Sequence, residues 1–288
     1  MRLTDAHCHY HDEWLLPHRE RVLGDLAATG VVAAVVNGSS ESDWDEVKRI
    51  CTDESFAPAS LRLMPSFGVH PWHAGNRSDN WACALIKALD DTPGASIGEI
   101  GLDRWMLDRA RPDDPRLAGL RRASLDEQID VFRRQLELAA ERDLPATIHC
   151  LDAWGALHDT LRSTPRPARG FLLHAYAGSA ELVKQFAALG AYFSFNGYFL
   201  DPRRAKKLEP VFRAIPRDRL LVESDAPAMP LPKEWATHRL PREPGGSIVN
   251  HPANLDAAYT GLAAWLGIDR HELAEQTHRN FCVLFGAP

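Results

Sequence analysis

Gly30-Val31-Val32-Ala33-Ala34-Val35-Val36 is a glycine followed by a nearly unbroken run of Val and Ala. As a strand, such a run offers water no polar face and belongs in a sheet covered on both sides. Upstream lie a first short apolar run, Leu3–His7, and a helical stretch, Pro17–Ala28. Downstream the alternation continues, with strands at Leu61–Val69, Ala95–Ile100, Pro145–His149, Gly170–His174, Tyr192–Phe195 and Arg219–Glu223. Helical stretches separate them at Ser42–Cys51, Asn80–Leu89, Ser124–Asp143, Ala153–Arg162, Ala180–Leu189 and Pro202–Ala214. Ser124 followed by Glu127 has the spacing of a capping box, and Ile129, Phe132, Leu136 and Ala139 recur at the helical period. Eight strand–helix units predict an α/β fold, a (β/α)₈ TIM barrel, as one domain over residues 1–288. The competing open sheet often carries a Gly-rich phosphate loop after its first strand, and none is present here. A Pro-rich loop, Ala226–Pro252, and two further helices follow the eighth strand, the last opening at Asp269 with Glu272 as a second capping box.

The 288 residues are 45% apolar and 25% charged, ordinary values for a soluble globular protein. No stretch approaches the roughly 18–20 apolar residues that cross a bilayer, and Met1-Arg2-Leu3-Thr4-Asp5 lacks a signal peptide's apolar segment. Five widely spaced cysteines without a C-x-x-C pair make a poor disulfide framework, and the expectation is a reducing cytoplasm. Cys8 and Cys150 adjoin candidate ligands, but neighbours on a strand face opposite ways, so both read as packing residues. The net charge of −6 weighs against broad, non-specific duplex binding and leaves room for a nuclease that grips a strand end through metal ions.

The chemistry gathers at strand ends. In Asp5-Ala6-His7-Cys8-His9 the two histidines share one face, and imidazole suits divalent transition metals. Glu99 closes the fourth strand inside Gly98-Glu99-Ile100-Gly101-Leu102-Asp103, where two glycines would let the backbone pass close to an ion. His149, His174 and Asp225 close the fifth, sixth and eighth strands, and the C-terminal ends of barrel strands are where active sites sit. Six ligands exceed one tetrahedral site with an open position. They suggest two divalent ions (Mg²⁺, Mn²⁺ or Zn²⁺) about 3.5–4 Å apart. Glu99 is the natural bridge, and Asp225 is a terminal ligand that can also take the proton of the attacking water.

Taken together, T-D-A-H-C-H, G-V-H-P at Gly68–Pro71, G-E-I-G-L-D, Ile148-His149, the stretch Gly170–Gly178 and E-S-D-A-P at Glu223–Pro227 resemble the TatD-type metal-dependent deoxyribonucleases. The resemblance spans nearly the whole chain, including Thr277-His278-Arg279-Asn280-Phe281. It implies an amidohydrolase-like barrel with His7, His9, Glu99 and Asp225 on one metal and Glu99, His149 and His174 on the other. It also implies Mg²⁺-dependent hydrolysis of DNA ends, with a nucleic-acid end or a small phosphoester as the partner.

Some positions depart from the family pattern. Leu151 stands where an arginine is usual, Ala177 where a serine is, and His251 where a glutamate is, and the segment 103–123 is longer than the family's. These departures support an alternative, a metal-dependent amide, lactone or phosphate-monoester hydrolase on the same barrel. A non-enzymatic binding module is disfavoured by the complete polar ligand set.

His70 reads from the resemblance as a substrate-side residue rather than a ligand. Arg104 and His251 are further substrate-binding candidates, each with a bland reading as a loop residue. Trp72, Trp105 and Trp235 fall in mouth loops where they can stack on a base, and Arg203, Arg204, Lys206 and Lys207 form the most basic cluster.

Overall fold

In the computed structural model, which describes residues 1–241, 246 and 248–287, the Val/Ala run becomes β2 (Val31–Asn37). It pairs in parallel with β1 (Leu3–Cys8) on one side and β3 (Arg62–Phe67) on the other. β4 (Ser96–Asp103), β5 (Ala146–Leu151), β6 (Phe171–Leu173), β7 (Ala191–Asn196) and β8 (Leu220–Glu223) follow in strict chain order, every pairing parallel. Between them run α1 (Arg19–Thr29), α2 (Trp44–Thr52), α3 (Trp81–Asp90), a short α4 (Trp105–Asp108), α5 (Leu125–Arg142), α6 (Trp154–Ser163), α7 (Ala180–Ala188) and α8 (Pro202–Ala214). α9 (Leu255–Leu266) and α10 (Arg270–Phe285) end the described fold. The expected (β/α)₈ barrel is present, and no described helix is long and apolar enough to cross a membrane.

The seam between β8 and β1 is closed by side chains and loop backbone. Asp5 accepts from Ser224 N at 2.9 Å and from Ser224 Oγ at 2.5 Å, Asp225 N donates to His7 O at 2.9 Å, and His9 N donates to Ala226 O at 2.8 Å. Farther from the mouth, the Tyr259 hydroxyl on α9 serves both Thr4 N and Thr4 O, and Asn280 on α10 donates to Leu220 O at 2.7 Å. Buried backbone groups must find partners, and these two helices supply them where the ladder does not. The closing-helix motif read from the sequence therefore has a structural task.

Two glutamines on one face of α5 fix the mouth. Gln135 Oε1 accepts Val69 N at 2.7 Å, just before His70, and Gln128 Oε1 accepts Asp103 N at 2.8 Å. At the start of α5, Ser124 accepts the Glu127 N–H as expected. The Glu127 carboxylate does not return to the cap. It pairs instead with Arg77 and Arg121, each at 2.6 Å, because two guanidinium partners outcompete one neutral N–H.

Several boundaries moved. β4 runs three residues past Ile100 because its pairing with β5 continues to Asp103–Leu151. β6 stops at Leu173, so His174 lies one residue beyond it. The glycines of the fourth strand also have a different purpose. Gly101 has φ +138°, and a Cβ there would lie 2.0 Å from His149 O, so this glycine lets β4 lie against β5 rather than against an ion.

Candidate metal centre

All six expected ligands converge at the C-terminal mouth, with Glu99 in the middle. Glu99 Oε2 lies 3.5 Å from His7 Nε2 and 3.4 Å from His9 Nε2. Glu99 Oε1 lies 2.9 Å from His174 Nε2 and 3.1 Å from His149 Nδ1. The two oxygens of one carboxylate thus face two different histidine pairs. Asp225 Oδ1 completes the first group, 3.4 Å from both His7 Nε2 and His9 Nε2. Asp225 has φ +52°, a left-handed conformation that aspartate tolerates better than most residues, at the sharp turn out of β8.

Neighbouring groups set which ring nitrogen faces inward. His9 Nδ1 is 2.8 Å from Asn37 O, so that nitrogen carries the proton and Nε2 is left toward Glu99. His149 Nε2 sits 3.1 Å from Asp103 Oδ2, leaving Nδ1 toward Glu99. His174 is backed by buried Glu223, 3.6 Å from its Nδ1. His70 also faces Glu99, and His70, Glu99 and His149 together form a group that could hold an ion. His70 Nδ1 accepts Trp72 N at 3.1 Å, so Nε2 holds the proton and points it at Glu99 Oε1, 3.3 Å away.

Charge follows this geometry. Burial raises the Glu99 carboxyl's pKa, but the imidazoles of His70, His174 and His7 outweigh it and hold Glu99 well below the usual range. Burial pushes the His149 imidazole down, and the carboxylates of Asp103 and Glu99 reverse this, holding it up at about 9. His70 is dominated by burial and falls to about 4, so it stays neutral.

The donor set fits divalent metal ions. His7 Nε2 and His9 Nε2 face each other 3.2 Å apart, as do His149 Nδ1 and His174 Nε2, with carboxylate oxygens between the pairs. The buried Nδ1 atoms of His7 and His174 have no hydrogen-bond partner. Imidazole nitrogens and carboxylate oxygens converging on one point match the donor chemistry of a divalent cation site.

Other candidates stand apart. Arg104 pairs with Asp108 at 2.9 Å and is half exposed. His251 is fully buried against α1, its Nε2 3.1 Å from Asp25 and its Nδ1 accepting Ala253 N at 3.1 Å. The structure packs His251 inside its loop against α1, and Arg104 lies outside the cluster. Cys8 points into the core and its thiol donates to Val35 O at 3.2 Å. Trp235 is partly buried against the core. Leu151 stands 36% exposed at the end of β5.

Asp103 joins the site without being among the residues expected from the sequence. It lies four residues from Glu99, an even spacing that puts both on one strand face, but a strand ending at Ile100 leaves it outside that parity.

A closed-order parallel barrel with a histidine–carboxylate cluster at its C-terminal mouth defines the metal-dependent hydrolase class. Residues 4–286 match the family model described as TatD related DNase, and the chain belongs to that family. Curated relatives named 3′-5′ ssDNA/RNA exonuclease TatD include one from Erwinia tasmaniensis, 33% identical over 272 residues, covering 93% of each chain. Another, from Klebsiella pneumoniae, is 28% identical over 267 residues, covering 93% of this chain and 91% of its own. Among solved structures, a TatD homologue from Escherichia coli superposes with a TM-score of 0.82 at 26% identity, covering 99% of this chain and 98% of its own. A TatD-family hydrolase from Entamoeba histolytica shares the fold at a TM-score of 0.78 and 18% identity, covering 99% and 98%.

Proposed function

We propose that this chain holds two divalent ions on either side of Glu99 and hydrolyses phosphodiester bonds at the 3′ end of single-stranded DNA or RNA. The observation that carries this reading is the division of the Glu99 oxygens, Oε2 toward His7 and His9, and Oε1 toward His149 and His174. His7, His9 and Asp225 would hold one ion with Oε2, and His149 and His174 the other with Oε1. Bound there, such ions supply Lewis acidity to the phosphoryl oxygens and a water of lowered pKa. The chain does the rest. His9 and His149 are fixed in one tautomer by Asn37 O and Asp103, and neutral His70 orients Glu99 from outside the ligand set. Asp225 stays ionised because contacts with His7 and His9 outweigh the effect of its burial, and it is placed to take the proton of the attacking water.

The test is the purified protein loaded with Mg²⁺, Mn²⁺ or Zn²⁺ and offered 3′- and 5′-labelled single-stranded DNA, RNA, bis-p-nitrophenyl phosphate and a lactone panel. Stepwise shortening from the 3′ end, with two ions per chain by elemental analysis, is the expected result. Lactone turnover without nucleotide release would replace it with the alternative hydrolase.

A further inference from the structure

The long segment between β4 and α5 is ordered by its own contacts. Arg122 donates to Met106 O at 3.0 Å and Ala110 O at 3.1 Å, and Asp114 caps the turn at Pro115–Leu117 by accepting Arg116 N at 3.1 Å. This brings three flat groups into a row. The rings of Trp72 and Trp105 stack at 6.2 Å with 30° between planes, and the Arg116 guanidinium lies 4.4 Å from the Trp105 ring centre.

Both indoles are only half-buried, unlike the ring cluster of the core. The row is tied to the metal centre, since Trp72 Nε1 donates at 2.7 Å to Asp103 Oδ2, the oxygen that faces His149. Residues 103–123 carry six arginines against four aspartates, a local positive excess in a chain of net charge −6. Arg104, Arg109 and Arg116 have side chains more than half exposed and pair with Asp108, Asp152 and Asp114 at the surface.

We propose that the face of Trp72 turned away from Trp105, with Trp105 and Arg116 stacked behind it, is a platform for an unpaired nucleobase next to the reacting phosphate, so that segment 103–123 sets this chain's preference for single strands. An aromatic face binds any base, because every base has a π-face, and the Arg116 guanidinium on Trp105 holds the row in place by a cation–π contact. A base inside a duplex has both faces covered by its neighbours, whereas an unpaired base is free to turn onto the platform. The exposed arginines match the charge of the strand that such a base belongs to. The proposal rests on the nuclease reading above and assigns the residues that recognise its substrate.

The test compares two octamers by fluorescence anisotropy, with the metal-loaded protein and non-hydrolysable phosphorothioate linkages. One is octathymidylate, and the other is the same backbone with abasic sites. The wild-type protein should bind octathymidylate roughly tenfold more tightly, the effect of one stacked base. Trp105→Ala should lose that preference while binding the abasic octamer as wild type does, which doubles as the folding control. Trp105→Tyr should keep most of it. Equal wild-type affinity for the two octamers overturns the platform, whatever the variants do, as does an unchanged preference in Trp105→Ala. Failure of the nuclease reading looks different, as preferential binding of octathymidylate while the natural phosphodiester is left intact.

Discussion

Asp103 and His149 meet at 3.1 Å, the carboxylate on the far side of the imidazole from Glu99. A carboxylate behind a metal-facing histidine fixes its tautomer and makes the inward nitrogen a better donor. Asp103 is held for this by the Met106 N–H at 2.9 Å and the Trp72 indole at 2.7 Å.

Asp103→Asn keeps the size of the side chain and its capping oxygen but removes the charge behind His149. Metal affinity is expected to fall about 10–100-fold, read by competition with a chromogenic chelator. Wild-type affinity in the variant would leave Asp103 only its structural hydrogen bonds to Met106 and Trp72.

Glu99→Gln should affect both ions at once, because each Glu99 oxygen serves a different histidine pair. Elemental analysis should show fewer than two ions per chain, and turnover should fall at least about a thousandfold, the loss of several kcal/mol of charge stabilisation. Two tightly held ions and near-normal turnover in the variant would remove Glu99 from the bridge.

Metal binding should release protons at neutral pH. His149 in the metal-free protein is held up at about 9, so below that pH its inward nitrogen is protonated and an incoming ion must displace the proton. Affinity should therefore rise with pH through neutrality and up to about 9. Calorimetric titration in buffers of different ionisation enthalpy measures the protons released, and none released at pH 7 would contradict the assignment.

Gly101→Ala places a methyl group 2.0 Å from His149 O at a φ of +138°. Strain and clash together should cost about 3 kcal/mol or more, visible as a lowered thermal midpoint. Because the clash falls on the backbone of His149, the folded fraction should also bind metal more weakly.

Much of this protein was legible from local pattern. The Val/Ala run of β2, the alternation of strands and helices and the histidines and carboxylates at strand ends were enough to place the barrel and its ring of six residues. Those features are legible because side-chain periods of two and 3.6 are written in neighbouring residues, and because a parallel strand must be apolar on both faces. Asp103 was within reach of the same parity argument once β4 was allowed its full length.

Other features depended on contacts between residues far apart in the chain. Gln128 and Gln135 hold the mouth, Tyr259 and Asn280 seal the seam, and Arg77 and Arg121 draw Glu127 from its cap. His251 shows the limit most clearly. Its neighbours resemble a substrate loop, but its partner is Asp25 on α1, more than 200 positions away in the chain. By itself, then, the sequence determined the barrel and which residues could ligate a metal. Only the tertiary structure decided which nitrogen faces which oxygen, because at His9 and His149 a hydrogen bond to the far side of the imidazole selects the tautomer, and the partner, Asn37 or Asp103, comes from another strand.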